Sequence, residues 1–225
     1  MSNPHTNPIT KPDDINPGAT QPAAVDQTSP VTQRGWRVVD IVVAAVLGVA
    51  IGLVFWIWNS IGGALFGTLD AITPGVGGLV VGPWLLGGVL GGLIIRRPGA
   101  ALLVELVAAI VSAAIGNQWG WSTVVSGLFQ GLGAELVFLA FLYRRFTLPV
   151  AALAGAAAGA GAWLNEFIFF GNRAKSAVFN LTYLGCLLVS GAVLAGALGW
   201  ALTRALAASG ALNRFAAGRE HRARV

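Results

Sequence analysis

Hydrophobic and polar positions alternate along this chain in long blocks rather than in the short rhythm of a water-facing helix or strand. Six apolar stretches emerge, at about positions 38–58, 76–95, 100–116, 121–143, 148–170 and 178–206. Each is about 17–29 residues long, and a helix of about 20 apolar residues spans a bilayer core of about 30 Å. Between them lie short polar or basic joints: Arg96-Arg97-Pro98-Gly99, then Asn117-Gln118-Trp119-Gly120-Trp121-Ser122, then Arg144-Arg145, then Gly171-Asn172-Arg173-Ala174-Lys175. The pattern predicts an all-α, polytopic membrane protein: a six-helix transmembrane bundle over residues 34–207. A polar tail rich in Pro, Thr, Asn and Asp precedes it (1–33, expected disordered), and a basic tail follows (208–225). Positions 59–75 fit less well. Ile61, Leu65, Phe66, Leu69 and Ile72 keep helical spacing, but Gly62, Gly63, Gly67 and Asp70 dilute the run, which reads as a short interfacial or re-entrant helix.

Composition sharpens the class. Charged residues are 10% of the chain and hydrophobic ones 56%, against about 25% charged in a soluble domain. The net charge of +5 would be compatible with nucleic acid, but the basic residues cluster at the ends of apolar stretches, which is their topological role in membranes. Twelve of the 14 Lys and Arg fall on one side of a six-span path, with Arg173 and Lys175 alone on the other. Both termini are therefore placed in the cytoplasm of a multi-pass plasma-membrane protein. Cys186 is a lone cysteine in an apolar run and reads as a packing residue. His5 and His221 sit in the tails, so neither a metal cage nor a haem or iron–sulfur cofactor is expected, and no P-loop is present. Ser112 and Ser126 have no histidine in reach to act as a base, which argues against an enzyme.

The candidate chemistry lies inside the spans. Glu105, Glu135 and Glu166 place carboxyl groups in hydrocarbon, each costing roughly 2.5–3.5 kcal/mol on insertion scales. No Lys, Arg or His lies well within a span to pair with them. A proton or a cationic ligand would relieve the burial. Gln130 and Glu135 are five residues apart, about 140° around a helix. They either flank a wide ligand, or one of them bonds a neighbouring helix. Asn165 and Glu166, with Gln130 and the loop tryptophans, fall toward the outer mouth, while Glu105 and Glu135 fall deeper. Trp119 is a stacking candidate or an interfacial belt residue. Ala44, Gly48 and Gly52 repeat every fourth residue and form a small-residue helix face, suited to packing within the bundle or to docking on another subunit.

Several segments together resemble a known family. They are Trp36-Arg-Val-Val-Asp40-Ile-Val, Arg97-Pro98-Gly99-Ala100-Ala101 with Glu105, Ser126-Gly127…Gln130-Gly131…Glu135, and Ala154-Gly155. In order and spacing they are similar to the YkoE-type S-components of energy-coupling-factor (ECF) transporters, linked to thiamine or its hydroxymethylpyrimidine precursor, over about 36–206. The resemblance implies a six-helix substrate-capture component of an ABC importer that binds its vitamin from outside. It also implies handover through a T-component carrying two ATPase subunits, with no cofactor of its own. Such proteins dock through an Ala-x-x-x-Ala-type face on the first helix, which here reads Ala44-x-x-x-Gly48-x-x-x-Gly52. The expected substrate-binding residues are Glu135, Gln130, Glu105, Asn165, Glu166 and Trp119. The competing reading is a self-contained proton-coupled permease for a small cationic or heterocyclic solute, with Glu105 and Glu135 as proton sites.

Overall fold

The computed structural model describes residues 35–213 together with 215, 217, 218 and 220. The expected 1–33 tail lies outside the described residues. Every regular element among the described residues is helical, with short turns between the helices. Its order is α1 (Val38–Ile72), two 3-10 turns (Val76–Val80 and Gly82–Leu85), α2 (Leu86–Ile95), α3 (Ala100–Ile115), α4 (Ser122–Ala140), α5 (Leu148–Phe169) and α6 (Ala177–Ser190). A π-helical turn, Gly191–Ala197, joins α6 to α7 (Leu198–Ala208) without a break. Four helical stretches are long and apolar enough to span a bilayer: α1, α4, α5 and the continuous Ala177–Ala208. Two shorter apolar helices, Gly82–Ile95 and Ala100–Ile115, complete the bundle. The outward faces are apolar, as at Ile41, Val46, Ile57, Leu136, Leu153 and Leu181, which suits lipid contact.

The first difference from expectation is α1. It does not stop near Trp58 but runs on through Gly62, Gly63 and Gly67 to Ile72 as one 35-residue helix. The i, i+3, i+4 apolar spacing beyond Asn59 outweighs the glycines' weak propensity, and Thr68 Oγ1 donates to the Ala64 carbonyl within it. The helix ends where Thr73 turns extended and Gly75 takes φ +96°, with the Gly75 N–H donating to the Asp70 carboxylate at 2.7 Å. The 59–75 segment is thus the outer part of the first helix, not a separate one.

The second difference is at 76–85, which was expected to be one span with 86–95. Pro83 and the glycines break it into two 3-10 turns. Freed backbone groups in a membrane protein need new partners, and Ser190 supplies them: its Oγ accepts from Gly82 N–H at 2.8 Å and donates to the Leu79 carbonyl at 2.7 Å. Every residue of α2 is buried. Val89 and Leu93 pack with Ala134, Phe138, Ala151 and Leu187, while Leu86, Leu90 and Ile94 pack with Ala44, Ile51, Phe55 and Val104. So α2 is the shared centre of two apolar clusters. Leu212 and Ala217, in the stretch expected as a tail, join the second cluster.

Small residues set the helix spacings. Gly155 on α5 and Gly191 at the π-turn meet backbone to backbone, and a Cβ on either would run into the other's carbonyl. On α1, Gly48 and Gly52 lie against α3, where a Cβ at Gly48 would sit 2.5 Å from Val107 Cγ1. Ala44 is fully buried in the same seam. Of the two uses expected for this small-residue face, packing within the bundle is the one seen here, against α3 of the same chain.

At the basic end, Asp40 is buried, accepts from Arg37 at 2.8 Å and lies 3.4 Å from Arg97. Trp36 Nε1 donates to the Pro98 carbonyl. These contacts tie the start of α1 to the 96–99 turn, where Arg96 and Gly99 adopt left-handed backbone.

Candidate functional site

A cavity of about 410 Å3 opens at the end of the bundle that carries the 116–121 and 170–176 joints. Its walls come from α1, the 3-10 turns, α3, α4, α5 and α6. That volume is in the range of small-molecule sites, about 300–1,000 Å3.

At its base is Glu105 on α3, 1% exposed. Its Oε2 accepts the Gly88 N–H at 2.6 Å. Gly88 lies in the first turn of α2, where free N–H groups and the helix dipole favour a carboxylate. The glycine pair lets it approach: a Cβ on Gly87 would sit 2.8 Å from Glu105 Oε2. Gln130 on α4 meets the other oxygen. With its amide turned toward these acceptors, it donates to Glu105 Oε1 at 3.2 Å and to the Trp84 carbonyl at 3.3 Å.

One side is aromatic. Trp84, which follows Pro83 in the second 3-10 turn, makes edge contacts with Trp119 (ring centroids 5.5 Å apart) and with Trp58 (6.4 Å). Its Nε1 donates to Asn59 Oδ1 at 2.8 Å, and Asn59 Nδ2 donates to Ser112 Oγ at 3.0 Å. The loop bearing Trp119 is shaped by Gly116 and Gly120, both at positive φ, and by Asn117, whose Oδ1 accepts from Trp119 N–H and Thr123 Oγ1.

The outer wall is Glu166 on α5. Its Oε1 accepts from the Tyr183 hydroxyl at 2.8 Å and its Oε2 from Asn172 Nδ2 at 3.2 Å. Lys175 also lines the opening, with Nζ 4.0 Å from the centre of the Phe179 ring.

Of the six residues singled out from sequence, Glu105, Gln130, Glu166 and Trp119 line this cavity. Asn165 stands one layer behind: it is buried, its Nδ2 donates to Ser126 Oγ at 2.9 Å, and Ser126 lines the cavity. Asn165 Oδ1 has no hydrogen-bond partner. Glu135 lies elsewhere. It accepts from the N–H groups of Gly99 (2.6 Å), Ala101 (2.9 Å) and Leu102 (3.3 Å) at the start of α3, and from the Tyr143 hydroxyl at 2.6 Å. The five-residue offset from Gln130 thus resolves into one residue facing the cavity and one bonding a neighbouring helix. Sequence reasoning passed over Asn59, Trp84 and Asn172. A tryptophan beside a proline in a glycine-rich apolar run was the available signal for Trp84. Among the described residues, no group of three His, Cys, Asp or Glu could hold a metal ion. The cavity offers carboxyl groups, amides and indole faces, which is equipment for holding a small polar, flat molecule.

The bundle of apolar helices, with a cavity of small-ligand size at its arginine-poor end, defines a class: a multi-pass membrane protein with room for a small solute. Known proteins narrow that class. Residues 39–161 match a family described as "ABC-type cobalt transport system, permease component". The chain is 36% identical over 187 residues to the "Putative HMP/thiamine permease protein YkoE" of Bacillus subtilis (strain 168), covering 83% of this chain and 92% of that one. It also superposes with a TM-score of 0.79 on "Crystal structure of an S-component of ECF transporter", at 36% identity, covering 84% of this chain and 95% of that one. This chain belongs to that permease-component family, as a YkoE-type S-component of ECF transporters.

Proposed function

We propose that the chain captures thiamine or its hydroxymethylpyrimidine precursor from the outer side of the membrane. It hands the ligand inward through a T-component driven by two separate ATPase subunits. The observation that carries this reading is the pairing of Glu105–Gln130 and Glu166 with the Trp84–Trp119 wall in one cavity of small-ligand size. Thiamine joins a cationic thiazolium to a flat aminopyrimidine. Glu166, near the opening, offsets the cation. Gln130 and Glu105 read the amino edge: with both Gln130 N–H groups directed at Glu105 and the Trp84 carbonyl, its carbonyl oxygen is left to accept from the ligand amino group. Trp119 and Trp84 stack on the rings, and indole faces favour cations. Asn165 holds Ser126 in place, and Glu135 stays outside the cavity as the clasp on the start of α3.

The test is titration of the purified protein with thiamine and with hydroxymethylpyrimidine, alongside native mass spectrometry of what co-purifies from cells. Saturable binding of either supports the reading, and binding of neither removes it. Uptake measured with the ATPases deleted separates this reading from a self-contained permease, which would go on transporting on a proton gradient.

A further inference from the structure

At the opposite end of the bundle lies a second cavity, of about 400 Å3, which the capture of a solute does not use. Four arginines line it: Arg96, Arg144, Arg145 and Arg204. Among the described residues one carboxylate, Glu220, shares it and pairs with Arg96 at 2.7 Å. Two guanidiniums are held over aromatic rings, Arg96 over Phe146 at 4.4 Å and Arg204 over Trp200 at 4.7 Å. Both rings also line the cavity. The first residues of the 22-residue α5 open into it at Thr147 and Leu148, and the Thr147 side chain makes no capping bond there. A helix start with unused N–H groups adds positive potential.

Like charges gathered around one hollow favour an anion there, and among the described residues one carboxylate lines it against four guanidiniums. Guanidiniums in a fork, with backbone N–H donors, match the oxygens of a phosphate. The surroundings indicate where that phosphate is carried. Leu142 (59% exposed) and Leu148 (40%) flank the arginine pair, and Leu202 (40%) and Leu206 (41%) flank Arg204 on α7. An apolar rim beside a phosphate-sized basic hollow, on the arginine-rich side of the bundle, fits a headgroup whose acyl chains run down the helices. Basic pockets between helices on the cytoplasmic face take anionic headgroups in this way.

We propose that this cavity is a binding site for a phosphate group, supplied by the headgroup of an anionic phospholipid of the cytoplasmic leaflet, with Glu220 as an internal anion that competes for Arg96.

The experiment uses the full chain in vesicles of phosphatidylcholine with phosphatidylglycerol. Lipid retained on the protein is quantified by native mass spectrometry, with a parallel titration of inorganic phosphate in detergent. Near an anionic surface each arginine contributes a factor of about five, so Arg144→Gln with Arg145→Gln should cut the enrichment of phosphatidylglycerol about 25-fold. Arg173→Gln, at the far end, should leave the enrichment unchanged. Glu220→Gln removes the competitor and should raise it, a readout that holds even if the double variant folds poorly. Enrichment that vanishes in the double variant assigns the site to lipid. Saturable inorganic-phosphate binding without lipid enrichment, again lost in the double variant, assigns the phosphate to a soluble source. Absence of both, or persistence of either in the double variant, overturns the proposal, as does a fall in enrichment with Glu220→Gln.

Discussion

Replacing Glu166 by Gln removes one negative charge from the wall of the outer cavity while keeping the shape of the side chain. The neutral amide can still accept from the Tyr183 hydroxyl, now 2.8 Å from Glu166 Oε1. The electrostatic consequence can be sized from the cavity. A sphere of its volume is roughly 9 Å across, so a cation held at its centre lies about 5–8 Å from a wall carboxylate, where an effective dielectric of about 20 gives about 2–3 kcal/mol. That corresponds to a 30- to 150-fold weaker affinity for cationic thiamine at about 1.4 kcal/mol per factor of ten. Neutral hydroxymethylpyrimidine has no charge to lose and at most one neutral hydrogen bond to forfeit, about 1 kcal/mol or about fivefold. Titration calorimetry of both ligands on wild type and Glu166→Gln measures the difference directly. Equal losses for the two ligands, or no loss for either, would refute charge pairing at this position.

Glu135→Gln should act on stability rather than on ligand choice. Its carboxylate accepts four donors, and an amide nitrogen facing two of them should cost about 2–4 kcal/mol. A clearly lowered unfolding temperature in detergent with unchanged ligand affinity is the expected pair of results. Gly48→Ala should destabilise by about 1–3 kcal/mol because the new methyl meets Val107, and an unchanged thermal unfolding curve would count against the α1–α3 seam. Trp119→Ala removes the ring that meets Trp84 edge-on. It should weaken ligand binding by at least the worth of an aromatic pair, about 0.5–1.5 kcal/mol, as read by the same calorimetry.

Much of the architecture was legible because lipid imposes a severe rule. Apolar stretches long enough to span, with arginines at one set of ends, leave few ways to fold. The membrane setting and the helical character followed from that, while the family rested on the resemblance of the segments around Asp40, Arg97-Pro98-Gly99, Gln130 and Gly155. What stayed hidden depended on partners distant in the chain. Glu105 and Glu135 look alike in sequence, each a carboxylate in an apolar run. One is held by Gly88 at the base of a cavity and the other by the backbone of Gly99, Ala101 and Leu102. Those N–H groups lie 33 to 36 residues from Glu135, at a helix start that spacing cannot point to. The continuation of α1 past Asn59 was obscured for a related reason: glycine lowers local propensity, while the packing on that stretch comes from residues distant in the chain, with Gly77 and Tyr183 set against Phe66. The small-residue stripe Ala44-Gly48-Gly52 was recognisable as a close-packing face, but sequence alone could not say which helix would fill it.

The length of α1 has one more implication. Its 35 residues amount to about 52 Å at 1.5 Å per residue, against a hydrocarbon core of about 30 Å. Beside it runs α3, whose 16 residues reach only about 24 Å. Lipid on this flank therefore meets a tall post and a short one side by side. No uniform bilayer thickness satisfies both, and mismatch is relieved by tilt or by local thickening and thinning. The resting posture of this protein should accordingly depend on acyl-chain length, so that thinner and thicker membranes set the long helix, and the cavity mouth it borders, at different angles.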